Sequence, residues 1–439
     1  MKVAFISLGC AKNLVNAEQM MFLTRQAGHE VTGEPVGADV CVLNTCGFIE
    51  TAQTEAIDHV LELAQLKAGG KLGKLLLTGC LTQRYGETVL AELPEIDGIL
   101  GTGSYDRIVE AIEQVAKGSS PHYFGDIDRT NEEIARVRAT PTHWAYLKIA
   151  EGCDNRCAYC VIPSLRGAFR SRPLENLLAE AEQLAADGVK ELIVVAQDIT
   201  RYGTDLYGHR RLGELLEALC KIENLHWIRL HYLYPDEIDD ALIAVIAREK
   251  KILKYIDLPI QHISDTILKS MNRRSSGGEI RALFAKLRAE IPGVVLRTSL
   301  ITGFPGEGEA EFEELAQFLT EARIERAGVF PFSPQEGTAA VDLPNQVEPE
   351  LAEQRAERLR AIELDIMEAH CESLLGQCLE VLCEGFDEDE GCYTGRSFAD
   401  SPDIDGRVLF MAAERPAAGT FLTVRITSAQ DGDLFGEAE

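Results

Sequence analysis

The chain has 439 residues, enough for two to four domains with sizeable cores. Its 71 acidic residues outnumber 43 basic ones, which gives a formal net charge of −28 at pH 7. A surface that binds nucleic acid needs clustered Lys and Arg. The balance therefore disfavours nucleic acid as the main partner and suits a basic one, unless acidity only keeps the protein soluble.

No stretch of the sequence resembles a membrane span or a leader peptide. Apolar runs stay short of the roughly 18 residues that a membrane helix needs. The apolar start that ends at Cys10 is too short for a signal h-region with a cleavage site. We therefore expect a cytoplasmic protein with no membrane association, whose 12 cysteines serve metal binding or catalysis rather than disulfides.

Residues 1–118 are predicted to form an open parallel α/β sheet domain. Apolar strands at residues 3–8, 39–45 and 74–78 alternate with helices at residues 13–28, 49–67 and 105–117. Asn13 is a candidate N-cap of the first helix, and Gly28 is its predicted stop. Short strands that alternate with helices typically form a parallel sheet, which binds ligands beyond the carboxyl ends of its strands.

A cysteine follows each of these three strands: Cys10, Cys46 and Cys80. A glycine flanks each one, which allows the backbone to approach a bulky ligand closely. Thiolates from three parallel strand ends would meet at one edge of the sheet and form a three-cysteine site. Buried structural cysteine is the alternative. We interpret Cys41, which lies inside a strand without a glycine neighbour, in that second way.

Residues 119–143 are predicted to be a linker, and residues 144–370 begin a second series of strands and helices. The six predicted strands are residues 144–149, 191–196, 227–233, 255–260, 294–302 and 327–332. Helices are predicted at residues 174–187, 212–222, 239–249, 279–291 and 309–323. Six βα units are short of the eight in a closed barrel, so we predict a partial (β/α)6 barrel with its functional residues at the carboxyl ends of the strands.

Three more cysteines, Cys153, Cys157 and Cys160, follow the first strand of this barrel within one loop. Thiolates this dense can converge on one soft metal centre. Iron–sulfur clusters usually take four thiolates, so a cubane on these three would keep one iron open for a substrate or cofactor. Three unconnected thiols, or a zinc site short of one ligand, are the alternatives.

The C-terminal part is predicted to be a long charged helix at residues 347–376 and a small antiparallel β-barrel within residues 371–439. Strands at residues 379–382, 392–397, 407–410 and 421–426 are separated by Gly- and Asp-rich turns, a pattern typical of the oligonucleotide-binding class. Residues 371–439 contain four basic and 15 acidic residues, so the net charge of this region is four minus 15, or −11. Cys371, Cys378, Cys383 and Cys392 lack metal-type spacing and are interpreted as structural.

The Cys-x-x-x-Cys-x-x-Cys loop, with Tyr159 before its last cysteine, resembles the signature of the radical S-adenosylmethionine (SAM) superfamily. The order of the three predicted regions, together with the first cysteine trio, resembles the methylthiotransferases. This resemblance implies two 4Fe–4S clusters, a C-terminal TRAM barrel, and SAM as both radical source and methyl donor. The implied net change is C–H to C–S–CH3.

The resemblance also suggests which strand-end residues contact SAM. Besides Tyr159, these are Gln197 and Asp198 after strand two, Gln261 after strand four, and Gly303 after strand five. The family's usual Gly-Gly-Glu motif is replaced here by Ala196-Gln-Asp198. His262 is the only histidine of this set, and a structural role is at least as well supported as catalysis. Gly-Phe-Pro-Gly-Glu307 could be only a tight turn.

The methylthiotransferases have two main branches, which modify either an adenosine in transfer RNA or an aspartate of small-subunit ribosomal protein twelve. The strings Ser7-Leu-Gly-Cys-Ala-Lys-Asn13, Tyr232-Leu-Tyr-Pro-Asp236 and Leu258-Pro-Ile-Gln-His-Ile-Ser264 resemble the ribosomal-protein branch. We therefore expect β-methylthiolation of that aspartate, with transfer RNA as the alternative substrate. The expected partners are the basic ribosomal protein, an electron donor such as flavodoxin or ferredoxin, and a sulfur source.

The sequence also allows two other classes of protein, an RNA-binding module and an electron carrier. An RNA-binding module with structural clusters would be supported by a basic face on the small barrel, which the sequence does not show. An electron carrier usually completes each cluster with four cysteines, and neither trio has an obvious fourth.

Overall fold

The computed structural model describes residues 1–130 and 133–439. The N-terminal domain is a six-stranded, wholly parallel sheet in the order β2-β1-β3-β4-β5-β6. Its strands are β1 (Lys2–Ser7), β2 (Glu30–Thr32), β3 (Val40–Thr45), β4 (Lys74–Gly79), β5 (Gly98–Leu100) and β6 (His122–Tyr123). Its helices are α1 (Ala11–Gln26), α2 (Glu50–Ala68), α3 (Cys80–Tyr85), α4 (Glu87–Glu92) and α5 (Ile108–Ala116).

The predicted open sheet is confirmed, with additions at its ends. All residues of β3 are buried because the two faces of the sheet are covered by separate apolar clusters, one including residues of α1 and α5 and the other residues of α2. Strands β2, β5 and β6 were not predicted from the sequence, and β6 lies inside the predicted linker.

The prediction of Asn13 as a helix cap is wrong. Helix α1 begins at Ala11, and Cys10 occupies the N-cap position. The buried Asn13 amide instead donates hydrogen bonds to the carbonyl oxygens of Leu8 (3.1 Å) and Thr45 (2.9 Å), and so ties the strand ends of β1 and β3 together.

The central domain is an open, parallel six-stranded sheet in the order β14-β13-β12-β11-β10-β7, which confirms the predicted partial barrel. Its strands are β7 (Trp144–Lys148), β10 (Glu191–Val195), β11 (Trp227–Leu230), β12 (Ile252–Asp257), β13 (Val295–Thr302) and β14 (Arg326–Pro331); β8 (Ala150–Glu151) and β9 (Arg170–Ser171) form a small hairpin. Its helices are α6 (Ile162–Arg166), α7 (Leu174–Ala186), α8 (Thr204–Tyr207), α9 (Leu212–Cys220), α10 (Asp240–Arg248), α11 (Asp265–Ser270), α12 (Gly277–Glu290), α13 (Glu309–Ala322) and α14 (Pro349–Ser373).

The N-terminal domain covers part of the inner face of this open barrel. Val15 of α1 packs with Trp144 and Tyr146 of β7 and with Ile193 and Val195 of β10. Because α1 begins at the first cysteine trio, this packing places that trio beside the mouth of the barrel.

The C-terminal domain is a closed five-stranded barrel in the order β15-β16-β17-β19-β18. The strands are β15 (Cys378–Asp387), β16 (Cys392–Arg396), β17 (Val408–Met411), β18 (Phe421–Gln430) and β19 (Asp433–Ala438), of which β19 was not predicted. The small barrel is therefore confirmed, with one difference: four of its five pairings are antiparallel, whereas β17 and β19 run parallel. Among the described residues, no helix has the length and apolarity needed to cross a bilayer.

A buried charge network joins the C-terminal barrel to the central domain. Glu191 at the start of β10 is fully buried and accepts from Arg229 Nε at 2.7 Å, and its other carboxylate oxygen lies 2.7 Å from Arg396 Nη1. Arg229 also donates to the carbonyl oxygen of Phe398 at 2.9 Å. The segment after β16 thus enters the polar inner face of the central barrel, where Asp405 accepts from the hydroxyl of Tyr255 at 2.7 Å.

Glu191→Gln is expected to lower the free energy of unfolding by about 3–5 kcal/mol, because the buried Arg229 loses its carboxylate partner and the buried Arg396 is left with Glu384. Denaturant titration of the purified protein measures this change. Glu380→Gln is the matched control, since Glu380 contacts His226 at the same domain interface but is exposed, and its loss is expected to cost about 1 kcal/mol or less. Equal losses for both variants would contradict the assigned role of the buried network.

Candidate functional site

The first cysteine trio lies at the carboxyl ends of three adjacent strands. Strands β1, β3 and β4 are neighbours in the sheet. Cys10 precedes α1, Cys46 follows β3 and Cys80 opens α3. Adjacent strands lie about 4.8 Å apart, so the sheet brings the three cysteines to one edge, as predicted.

Glycines allow the three cysteine loops to touch. A Cβ on Gly9 would lie 2.6 Å from Cys46 Cβ, and one on Gly47 would lie 2.8 Å from the Leu81 backbone. Gly79 has a φ of +103°, and a Cβ there would lie 2.4 Å from the carbonyl oxygen preceding Cys46. Any side chain at these positions would separate the loops, so the glycines are needed for the cysteines to converge.

Arg166 connects this trio to the central barrel. It follows the second cysteine loop and is 3% exposed. Its guanidinium lies 3.3 Å from Cys80 Sγ, donates to the side-chain oxygens of Asn13 (2.6 Å) and Asn16 (2.7 Å), and pairs with Glu151 at 3.3 Å. The buried Arg166 guanidinium therefore lies beside the thiols of the N-terminal domain. The carboxylate that pairs with it, Glu151, belongs to the central domain.

The three thiols of the first trio differ in acidity. Burial would raise the pKa of Cys10, but the cations of Lys12 and Arg166 outweigh it and the pKa is lowered. Burial raises the pKa of Cys46 to about 11, and it also raises the pKa of Cys80 although Arg166 opposes the change. The nearby cations thus favour the thiolate form of Cys10, whereas burial opposes ionisation of Cys46 and Cys80.

The second trio lies in the loop after β8, at the carboxyl edge of the central sheet. The backbone N–H of Cys153 donates to the carbonyl oxygen of Gly167 at 3.1 Å, and that of Ala158 donates to Met271 at 2.9 Å. The carbonyl of Ala158 in turn accepts from Ala340 at 2.9 Å. Segments from three parts of the chain therefore hold this loop in place.

Arg273 and Tyr234 adjoin Cys157. The Tyr234 hydroxyl lies 3.8 Å and the Arg273 guanidinium 4.0 Å from Cys157 Sγ, and the guanidinium stacks 4.0 Å from the centre of the Tyr234 ring. Each trio thus has one arginine beside a thiol. Neither arginine was predicted from the sequence, because nothing in their local sequence distinguishes them from surface arginines.

Burial changes the acidity of the other two thiols of the second trio. It raises the pKa of Cys153 to about 11 and that of Cys160 further. Burial also raises the pKa of Tyr159, whose ring packs edge-on against Phe304 with centroids 6.4 Å apart. Through this packing, the Tyr159 ring holds one side of the loop that carries the cysteines.

The predicted SAM contacts Gln197 and Asp198 both engage the second cysteine loop. Gln197 donates through Nε2 to Glu151 at 2.7 Å, while its buried Oε1 has no partner among the described residues. Asp198 is 1% exposed and accepts from Asn155 at 2.8 Å and from Thr200. The end of β10 and the cysteine loop therefore form one hydrogen-bonded unit.

The other two predicted contacts lie on neighbouring strand ends. Gln261 has a φ of +69° and bridges to Leu300 through its backbone. Gly303 has a φ of +70°, and a Cβ there would lie 2.2 Å from Ala352 of α14. The absence of a side chain at Gly303 thus serves the packing of α14.

His262 is held in a buried network beneath this edge. The N–H of Ser264 donates to His262 Nδ1 at 3.0 Å, so Nε2 carries the proton and donates to Glu307 at 3.2 Å. Glu307 also accepts from the N–H of Gly303 at 2.8 Å and pairs with Arg355 at 2.8 Å. His262 is therefore structural, and the Gly-Phe-Pro-Gly-Glu segment is a turn closed by its own glutamate.

Both donor sets have the all-sulfur chemistry of iron–sulfur cluster ligands. Within residues 1–130 and 133–439, no three His, Cys, Asp or Glu side chains converge closely enough to hold one metal ion. Thiolates of a cubane bind different irons and therefore stand farther apart than the ligands of one ion. Three all-sulfur donors with a cation beside them match such a cluster in chemistry.

Comparison with family models matches each of the three regions. Residues 147–319 match the radical SAM superfamily, residues 2–101 match the uncharacterized protein family UPF0004, and residues 375–438 match the TRAM domain.

Relatives match over the full length. The chain is 47% identical to "Ribosomal protein uS12 methylthiotransferase RimO" of Lachnoclostridium phytofermentans, covering 100% of both chains. It is 48% identical to proteins of the same name from Pelotomaculum thermopropionicum, with 99% of both chains covered, and from Geotalea uraniireducens, with 99% and 98% covered. The chain belongs to this family.

Membership of the uS12 methylthiotransferase family confirms the predicted enzyme class and cofactors. The protein is a radical-SAM iron–sulfur transferase, and its family uses SAM and two 4Fe–4S clusters. The predicted branch is confirmed as well, because these relatives carry the name of the ribosomal-protein branch.

Solved structures with lower sequence identity share the fold of this family member. TsrM of Kitasatospora setae, a radical SAM methyltransferase, superimposes with a TM-score of 0.56 at 12% identity and covers 88% of this chain and 79% of its own. The cobalamin-dependent radical enzyme OxsB gives a TM-score of 0.51 at 13% identity, covering 82% and 56%.

Proposed function

We propose that this chain converts a C–H bond to C–S–CH3 at the β-carbon of an aspartate of ribosomal protein uS12. The observation that carries the proposal is the meeting of two three-cysteine sites at the mouth of one barrel. Arg166 contacts a thiol of the first site and pairs with Glu151, two residues before the second. The names of full-length relatives support uS12 as the substrate.

The six cysteines divide into two ligand sets in this proposal. Cys153, Cys157 and Cys160 hold the 4Fe–4S cluster that binds SAM, and Cys10, Cys46 and Cys80 hold the auxiliary cluster. When bound, the SAM-binding cluster would supply the electron that cleaves SAM, and the auxiliary cluster would supply the site of sulfur delivery. Arg273 and Arg166 stand beside the two sets as fixed positive charges that stabilise thiolate ligands.

Side chains at the strand ends position SAM. Gln197 has the strongest support, because its buried Oε1 is an acceptor without a protein partner among the described residues and suits the amino group of SAM. Asp198 fixes the cysteine loop through Asn155. We assign Tyr159, Gln261 and Gly303 to the walls of the same pocket.

The acidic C-terminal barrel is proposed to steer uS12 to the enzyme. Three of its four arginines are already paired: Arg396 with Glu191 and Glu384, Arg407 with Asp387 and Asp433, and Arg425 with Glu439. Little positive charge is left to neutralise phosphates, so RNA is repelled within a Debye length of about 8 Å. A basic ribosomal protein is attracted over the same distance.

The remaining partners follow from this chemistry. Ribosomal proteins are made in the cytoplasm, so the enzyme acts there. Each turnover needs an electron from a donor such as flavodoxin or ferredoxin, and repeated turnover needs a source of replacement sulfur.

The substrate is tested by offering three candidates to the reduced, cluster-loaded enzyme with SAM. We expect the methylthio mass increment on purified uS12 or on assembled small subunits, and none on bulk transfer RNA. The reason is the net charge of −11 on the C-terminal barrel, whose arginines are mostly paired. Mass spectrometry of peptides and of nucleosides measures both outcomes.

Omitting the reductant is the control for this experiment, because product without it would not come from radical chemistry. Modification of transfer RNA alone would overturn the substrate assignment while leaving the radical chemistry intact.

A further inference from the structure

Lys12 is a buried cation between the two cysteine trios. It lies in the first turn of α1, two residues after Cys10, and is 7% exposed. Its Nζ stands 3.4 Å from the centre of the Tyr232 ring. The ring face offers a favourable electrostatic contact but not a full counter-charge.

No carboxylate pairs with Lys12 anywhere in residues 1–130 and 133–439. Other buried cations of this region do have one. Lys148 and Arg166 pair with Glu151 at 2.9 and 3.3 Å, and Arg297 pairs with Asp257 at 2.8 Å. A buried ammonium without a carboxylate partner is costly. The ionisable group nearest in sequence, Cys10, is assigned to the auxiliary cluster, so the charge of Lys12 points to an anion that arrives from outside the chain.

Lys12 links the elements that carry the two trios, because it lies on α1 and contacts the loop after β11. Tyr232 lies two residues after the end of β11, at the carboxyl edge of the barrel. Two residues further, the Tyr234 hydroxyl is 3.8 Å from Cys157 Sγ. Lys12, two residues from Cys10, therefore contacts the same loop after β11 whose Tyr234 contacts Cys157.

We propose that the Lys12 ammonium binds the side-chain carboxylate of the target aspartate. The β-carbon is bonded directly to that carboxylate, so holding the carboxylate places the reacting C–H bond between the two trios. Lys12 is then a positioning residue that selects aspartate over its uncharged analogue asparagine. This inference rests on the proposed function and adds to it the group that recognises the substrate.

The test measures binding of uS12 to the cluster-loaded, SAM-bound enzyme without reductant, so that no chemistry occurs. Wild-type enzyme is compared with Lys12→Met, and uS12 is compared with its target Asp→Asn variant. For the wild type, Asp→Asn is expected to raise Kd by about tenfold or more, as for the loss of one buried charge pair. Lys12→Met is expected to bind both forms weakly and equally.

Two further variants complete the design. Lys117→Met removes an exposed lysine of the same domain and is expected to keep the wild-type preference for Asp. Lys12→Arg keeps the positive charge and is expected to retain part of the preference. If Lys12→Met fails to fold, the wild-type comparison decides alone, because equal binding of Asp and Asn forms overturns the proposal.

The alternative is that Lys12 serves only as a counter-charge for Cys10. Two results together would establish this alternative. The Lys12→Met enzyme would still prefer Asp, and an electron paramagnetic resonance titration would show a shifted midpoint potential of its auxiliary cluster. Failure of the proposed function looks different: the reduced wild-type enzyme would then leave uS12 unmodified.

Discussion

Cys157→Ala is expected to abolish reductive cleavage of SAM. The variant leaves two thiolates in the barrel loop, and a cubane on two thiolates is labile. It also removes the sulfur beside Arg273 and Tyr234, so the guanidinium loses a contact with the cysteine loop. Formation of 5′-deoxyadenosine under dithionite, measured by chromatography, is expected to fall to background.

Cys378→Ala is the matched control for this prediction, because Cys378 is an exposed thiol of the C-terminal barrel whose Sγ lies 3.5 Å from Glu439, away from both trios. It is expected to cleave SAM at the wild-type rate. Iron analysis separates loss of the cluster from loss of activity alone, since Cys157→Ala is expected to lose about four of about eight irons per chain. Undiminished 5′-deoxyadenosine with Cys157→Ala would refute the assignment of the barrel trio.

The triple variant Cys10→Ala, Cys46→Ala and Cys80→Ala is expected to cleave SAM and yet attach no methylthio group to uS12. The three cysteines belong to a different domain from the barrel loop. Arg166 retains its contacts with Asn13, Asn16 and Glu151 when Cys80 is replaced. Mass spectrometry of uS12 and assay of 5′-deoxyadenosine on the same sample measure both halves of the prediction.

Cys41→Ala is the control for the triple variant. Cys41 lies in β3, five residues before Cys46, and is fully buried in the apolar core of the same domain. Burial raises the pKa of its thiol to about 12, as is usual for an inert core cysteine. We expect this variant to keep methylthiolation and to lose only packing energy. Methylthiolated uS12 from the triple variant would show that sulfur transfer does not depend on the first trio.

The regular elements of both sheets were predictable because their signals are local. Runs of buried apolar residues mark β3 and β10, whose residues are buried throughout. Strands β5 and β6 were missed because they have only three and two residues, and runs this short show no periodicity. Strand β19 was also missed, and its parallel pairing with β17 depends on how the barrel closes.

The cap of α1 shows where local rules fail. Asn13 is a residue type that caps helices, and it stands near the start of α1. Its amide is instead used by Thr45, 32 residues away, because α1 packs over the ends of β1 and β3. A long-range hydrogen bond therefore overrode the local preference.

The sequence by itself determined where the six cysteines stand. Strand, loop and glycine follow one another within a few residues, and parallel strands place their carboxyl ends at one edge, so no distant contact was needed to group each trio. The tertiary structure alone decided which charges face those thiols. Arg166 reaches Cys80 across 86 positions and Arg273 reaches Cys157 across 116, while Lys12 meets Tyr232 only because α1 packs against the barrel. Such pairs depend on how domains pack, which no local spacing encodes.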